Sequence, residues 1–414
     1  MTVLKPFRGI RPKKEFAPLI ASKPYDVLNK TEAREEAKGN SYSFLHVVKP
    51  EIDLPDEVDE HSSVVYTRGK EYFHRLMKEG ILNQDSEEHL YVYAQTMDGR
   101  TQYGLVGCAA VDDYVNNKIR KHELTRPDKE EDRKNHVRTS RMNYEPVFFT
   151  YRSVPDINSI VDKITGAEPE YSFTAVDGIG HTFWVVRDRE IITALVRLFD
   201  QIPCTYVADG HHRTAAAALV GKEFREANKH HTGKEEYNFF LAVHFPHDQL
   251  AIFDYNRVVK DLNGLTPAQF ISRIEKGFVV EKKGTQIYKP GFLHNFSMYL
   301  EGEWYSLTAR EGTYDNDDPI GVLDVTILTQ QVLEPVLDIR DLRRSNRIDF
   351  VGGIRGLAEL KQRVDNREMT AAFALHPVSM EQLMRIADTG NIMPPKTTWF
   401  EPKLRSGLII HALD

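Results

Sequence analysis

Cysteine is nearly missing: Cys108 and Cys204 are the only two in 414 residues, and no CxxC occurs. A disulfide framework and a cysteine-rich zinc centre are thereby excluded, and a reducing cytoplasm fits. Long apolar runs are missing as well. No stretch of about 18 uncharged apolar residues is present, so no helical membrane span is expected. The opening Met1-Thr2-Val3-Leu4-Lys5-Pro6 lacks the apolar core of a signal peptide, and the chain reads as cytoplasmic with no membrane partner. Positive charge is not in excess: 54 Lys and Arg stand against 61 Asp and Glu, a formal net charge of -7. That is the wrong balance for a protein that coats nucleic acid, so no nucleic-acid partner is expected. The common catalytic signatures are also wanting. There is no GxxxxGK[ST] and no Gly-x-Ser-x-Gly, and Gly178-Ile179-Gly180 continues as His-Thr-Phe rather than as a dinucleotide fingerprint. Any phosphate site here must use a different loop.

What is present describes an ordinary globular chain of two domains, with 41% apolar and 28% charged residues. Aromatic and β-branched residues from His89 to Met97, a turn at Asp98-Gly99 and a return from Gln102 to Val111 spell a hairpin. A second is expected from Tyr171 to Val186 around Asp177-Gly178, followed by a helix over Glu190 to Phe199. Strands are expected at Tyr237 to Phe245 and Ala251 to Val259. A boundary near Asn263-Gly264 sets the expected domains at 1–262 and 263–414. The second opens with a Thr266-Pro267 helix start and carries a hairpin over Phe296 to Leu307 and helices over Leu323 to Leu337 and Ser379 to Asp388. Between Asn117 and Arg141, Lys and Arg outnumber Asp and Glu with few apolar anchors. This insertion reads as a mobile basic arm or, preferably, a solvated helix.

The segment with chemical character follows Ile202 to Ala208, a short apolar run with the look of a buried strand. Thr214-Ala215-Ala216-Ala217-Ala218-Leu219-Val220-Gly221 is a strong helix former, so Asp209 to Arg213 is the turn between them. A helix start presents unpaired amides and partial positive charge to an anion. Gly210 lets the backbone approach closely and Arg213 adds a two-pronged donor. Asp209 would repel bare phosphate but suits a magnesium ion or a ribose or substrate hydroxyl beside phosphates; the plainer alternative is a helix cap. A zinc site would have to add His230-His231, yet adjacent histidines point in different directions and no HExxH joins them. Zinc is therefore not expected.

Asp209-Gly210-His211-His212-Arg213, together with Pro6-Phe7-Arg8, Pro24-Tyr25-Asp26-Val27, Lys121-His122-Glu123-Leu124-Thr125 and the block from Met393 to Lys403, resembles the bacterial and archaeal family called domain of unknown function 1015, nearly end to end. The resemblance implies an α+β fold: a ParB/sulfiredoxin-like mixed-sheet nucleotide-binding domain with an additional C-terminal α/β domain that contributes a lid or a substrate-binding loop. That superfamily includes nucleotide hydrolases, sulfiredoxin and kinases of free L-serine. Sulfiredoxin chemistry needs a cysteine where this motif has histidine, and ParB needs a helix-turn-helix that is not found here.

The kinase branch survives both comparisons. It implies ATP or ADP as donor, Mg2+, and free L-serine as the acceptor that becomes O-phospho-L-serine. The alternative is a ParB-like nucleotide switch without a small acceptor. Phosphoryl transfer needs positioning, charge neutralisation and a base aimed at the acceptor hydroxyl. Gly210, His211, His212, Arg213 and Thr214 are the expected phosphate ligands, and Asp209 the residue that places magnesium or the acceptor. Asp26, in a proline-shaped loop, is the first choice of base and Glu123 the second. Lys396 and Thr397 are candidates for closing on phosphates or the acceptor's carboxylate, and Arg257 for a carboxylate or adenine. The family usually has histidine before that arginine, and Asn256 in its place weakens a catalytic role there.

Overall fold

The computed structural model describes residues 2–414. It forms two compact units, Met1–Leu250 with Pro402–Asp414, and Ala251–Glu401. The expected boundary at 262/263 thus moves to Leu250/Ala251. The physical reason is sheet pairing: Tyr255–Val259 is hydrogen-bonded on both sides to strands of the second unit. The last thirteen residues, instead of ending the second unit, return to the first.

The first unit is built on eight strands: β1 Leu90–Met97, β2 Arg100–Ala110, β3 Ile119–Arg120, β4 Val147–Tyr151, β5 Tyr171–Thr174, β6 Gly180–Val186, β7 Thr205–Asp209 and β8 Phe239–Pro246. Their order across the sheet is β3-β7-β4-β8-β2-β1-β6-β5. Pairing is mixed: β7 runs parallel to β3 and β8 parallel to β4, and the remaining neighbours are antiparallel. Both expected hairpins form, the first turning at Asp98 and Gly99, each with positive φ as a two-residue turn of this hand requires. The α+β class with a large mixed sheet holds.

Alternation decides which residues face which layer. Val92, Ala94, Leu105 and Trp184 look toward two helices, α1 Pro155–Thr165 and α2 Arg189–Asp200, and pack with Ile157, Val161, Ile192, Leu195 and Phe199. Asp188 starts α2 by accepting hydrogen bonds from the amides of Glu190 and Ile191. Each such fully buried side chain contributes roughly 1.5–3 kcal/mol. Val147, Phe149, Val207, Phe240 and Ala242 pack against Ala217 and Ala218 of a longer helix, α3 His211–Ala227. On the opposite face, Tyr91, Tyr93, Tyr171 and Phe183 stack as an aromatic layer. The N-terminal arm and the returning C-terminal tail cover it. The Tyr91 hydroxyl accepts from the Gly9 amide, Tyr171 donates to the Leu408 carbonyl, and Gln95 donates to the Lys403 carbonyl.

The charged segment is neither a mobile arm nor a merely solvated helix. Its helix, Pro127–Ser140, buries Asp132, Arg133, His136 and Ser140 and packs on α3. The inward face is ionic, so no apolar period marks it in the sequence.

The second unit is a six-stranded antiparallel sheet in the order Phe278–Gly284, Glu303–Ala309, Asn295–Leu300, Ala371–Ala374, Tyr255–Val259 and Ile348–Gly352. Leu360 and Val364 of the helix Gly356–Asp365 pack on Val258, Tyr299, Trp304 and Val351. Capping boxes at Thr266 and Ser379 start their helices as expected. The expected helix over Leu323 to Leu337 is shorter: α-helical turns end at Leu328 and a π-turn follows over Thr329–Leu333.

His244 is an isolated polar group in the first core. It is buried between Phe149 and Phe199, neither ring nitrogen has a hydrogen-bond partner, and burial pushes its pKa down to about 3. Unfolding restores an ordinary value near 6.5. The unfolded chain therefore binds more protons between about pH 6.5 and 3, and stability is lost as pH falls through that window. His244→Leu is expected to raise the urea midpoint, by roughly 1–3 kcal/mol in stability, and to flatten the loss between pH 6.5 and 4. A variant with the parent's midpoint and pH slope refutes this account.

Candidate functional site

Strand β7 delivers Asp209 to the edge of the first unit, and the chain turns into α3 through Gly210 at φ +93°. A left-handed conformation favours glycine, and packing adds a second demand. A Cβ at Gly210 would lie 3.1–3.2 Å from the Arg213 side chain, which folds back against the turn. The amides of His211, His212 and Arg213 follow, and as the first three of a helix they have no carbonyl of their own helix to bond. The turn thus has the helix-start geometry that leaves these amides without a partner in their own helix.

The side chains divide into those turned inward and those left at the surface. Arg213 is buried; its Nη1 donates to the Pro146 carbonyl at 2.6 Å and its Nη2 lies 3.8 Å from Asp209 Oδ2. Burial works against its charge, and Asp26, Glu145 and Asp209 outweigh that and raise its pKa. Arg213 is thus a buried counter-charge, not the outstretched phosphate fork expected. Thr214 is also corrected: it is wholly buried and its hydroxyl donates to the Gly210 carbonyl at 2.9 Å. His212 remains partly exposed, with Nε2 accepting from the Arg126 amide at 3.0 Å, which pins the charged segment to the helix start.

Asp209 stays partly exposed, yet both oxygens are engaged. Oδ1 accepts from the Gly210 amide at 2.9 Å and Oδ2 from Lys403 Nζ at 3.3 Å. Burial opposes its charge, but Lys403 and Arg213 prevail and hold the carboxyl well below the usual carboxylate range. Flanked by two cations, Asp209 is a poor magnesium ligand, and that expected role is withdrawn. It neutralises Lys403 and Arg213 instead.

Asp26 lies in an exposed turn and acts electrostatically on Arg213, Glu145, Tyr25 and His212. The structure brings it to the motif from some 180 residues earlier in the chain. Beneath it, Glu145 accepts from the Tyr25 amide at 3.0 Å and from Ser406 at 3.1 Å, and Arg133 lies 3.8 Å over the Tyr25 ring. Burial pushes Glu145 up despite Arg213 and Arg133. Glu123 is half-buried beside His122 and His211, whose rings meet edge to face at 4.5 Å. Burial lowers both histidines, His122 to about 4, although Asp209 pulls the other way on each. Both rings are therefore neutral at pH 7.

The three candidates from the C-terminal part lie in the second unit. Arg257 is fully buried, donates to the Tyr255 and Lys396 carbonyls, and is brought down to about 10 by burial. It holds the Lys396 turn, and the expected substrate contact is corrected to a structural one. Thr397 is buried and donates to the Pro394 carbonyl at 2.6 Å, which likewise removes it as a ligand. Lys396 is exposed at positive φ, its Nζ 5.6 Å from the Tyr255 ring centre.

Sequence reasoning did not single out Glu145 or Arg405 and took Lys403 only as the end of the block from Met393. Arg405 is buried, donates to His181 Nε2 at 3.2 Å and pairs with Asp177. For Lys403 the signal in the sequence was its place in the block from Met393, and nothing local places residues 403–406 beside residue 209.

A family model described as "Protein of unknown function (DUF1015)" matches residues 4–326. No curated protein matches the chain. Solved structures that are similar at low identity include the following three. A free serine kinase in complex with AMP is 14% identical with a TM-score of 0.34, over 74% of this chain and 92% of that one. A conserved hypothetical protein from Pyrococcus furiosus is 15% identical, TM-score 0.35, over 75% and 95%. SbnI with a C-terminal truncation, from Staphylococcus aureus, is 11% identical, TM-score 0.39, over 73% and 85%.

Because Arg213 satisfies a buried carbonyl and sits among Asp209, Asp26 and Glu145, its removal leaves buried acceptors unpaired. Arg213→Met is expected to destabilise the chain by about 3–5 kcal/mol, read as a lowered urea midpoint. An unchanged midpoint rules out the buried counter-charge role.

Proposed function

Starting from the fact that the chain belongs to the DUF1015 family, whose model spans residues 4–326, we propose that it is a nucleotide-dependent kinase of free L-serine, yielding O-phospho-L-serine. The observation that carries the reading is the helix start at Gly210–Arg213, with its unpaired amides, Lys403 beside it, and an exposed carboxylate, Asp26, brought to the same corner. Amides at a helix N-terminus and a lysine neutralise phosphate oxygens, and phosphoryl transfer asks for little else from a protein beyond a base.

In this reading the phosphates of ATP or ADP lie over the α3 start, with magnesium brought by the nucleotide rather than by Asp209. His212 and Lys403 face the anion. Asp26 accepts the serine hydroxyl proton as the oxygen attacks the terminal phosphorus, and the leaving nucleotide departs with the bridging oxygen. The choice of serine as acceptor rests on the resemblance of the motif to the free-serine kinase branch.

Incubating the protein with ATP or ADP, magnesium and each free amino acid tests the reading directly, and O-phospho-L-serine is the expected product. Nucleotide hydrolysis that ignores serine sinks it and favours a nucleotide switch. Asp26→Asn is expected to keep nucleotide affinity and lose about 10²–10⁴-fold in turnover. Lys403→Ala is expected to weaken nucleotide binding tenfold or more, as loss of a charge-assisted hydrogen bond of about 1.5–3 kcal/mol implies. Full turnover in the first variant, or parent affinity in the second, removes the corresponding role.

A further inference from the structure

We propose that His122, Glu123 and His211 bind one divalent transition-metal ion of the zinc class. The inference is independent of the kinase reading. One donor atom from each of the three side chains can be chosen so that all lie within 4.8 Å of one another. A tetrahedral ion with ligands at about 2.1 Å sets them roughly 3.4 Å apart, so small rotations of three side chains close the cluster.

The second observation is His211 itself. It is 6% exposed, and its Nε2 is buried without a hydrogen-bond partner. An unmet imidazole nitrogen is destabilising in a folded interior, and a metal bond satisfies it. His122 hydrogen-bonds the Val207 backbone, the kind of outer contact that orients a ligating imidazole.

Two imidazoles and one carboxylate form a set that suits zinc and its neighbours, whereas magnesium prefers oxygen donors alone. The charges also allow it. The positive end of α3 disfavours a cation, and the carboxylate of Glu123 within the cluster offsets it. Three protein ligands leave one position for water. This assignment takes Glu123 out of contention as the base.

Titration calorimetry of the full chain with ZnCl2, after chelator dialysis, is the test. One equivalent with a Kd of about 1 µM or tighter is expected, a binding free energy near -8 kcal/mol. His211→Ala and Glu123→Gln are each expected to weaken it at least tenfold, and His230→Ala combined with His231→Ala to leave it unchanged. Glu123→Gln keeps the side chain's size, so it serves if His211→Ala fails to fold. The cobalt-loaded parent is expected to show a visible absorption that Glu123→Gln alters. Absence of saturable binding, parent affinity in both site variants, or loss of binding on removing His230 and His231 overturns the proposal.

Discussion

The buried guanidinium of Arg213 is the constraint around which the corner of the first unit is organised. A full positive charge inside a protein persists only with counter-charge and hydrogen bonds close by. Here Asp26, Glu145 and Asp209 supply the charge and Pro146 the acceptor. Each of these dictates something else. The return of Arg213 against the turn crowds any side chain at residue 210, and the need to balance Asp209 draws in Lys403. Glu145 in turn fixes the Tyr25 amide and Ser406, so the N-terminal arm and the C-terminal tail are tied to the same charge.

That dependence explains why the ends of the chain belong to the first unit. The aromatic face of the sheet, with Tyr91, Tyr93, Phe183 and Tyr171, carries hydroxyls that need partners once water is excluded. Gly9, His181 and Leu408 provide them. A covering layer of two separate segments can match scattered polar atoms in a way that a regular helix, presenting side chains at one period, cannot. The same layer then delivers Lys403 and Arg405 to positions remote from them in sequence.

What was legible before the structure follows from locality. Hairpins, the β7-to-α3 turn and the capped helices at Thr266 and Ser379 are written in residues a few positions apart, and they appear where their residues place them. The helix Pro127–Ser140 was misjudged because its buried face is Asp132, Arg133 and His136; a polar inner face leaves no apolar period to read. Arg257 and Thr397 were misjudged for the converse reason. Reactive residue types suggest a ligand, yet burial and nearby carbonyls assign both to holding a turn. Lys403 was invisible as a partner of Asp209 because only the sheet brings residues so far apart in the chain together.

The two polar groupings beside Gly210 differ in a way that separates their chemistry. Asp209, Lys403 and Arg213 form a charged set whose carboxylate is already saturated by cations, so it has no affinity left for a metal ion and leaves the turn attractive to anions. His122 and His211 are instead buried with their rings edge to face beside Glu123, the set proposed to bind a metal ion. Placing the saturated acid between the two sets lets one short turn present opposite preferences on its two sides. An acid at residue 209 engaged by a metal would have removed one of the three carboxylates that balance Arg213. In the proposed reading, cation binding falls to the histidine side and anion binding to the amide side.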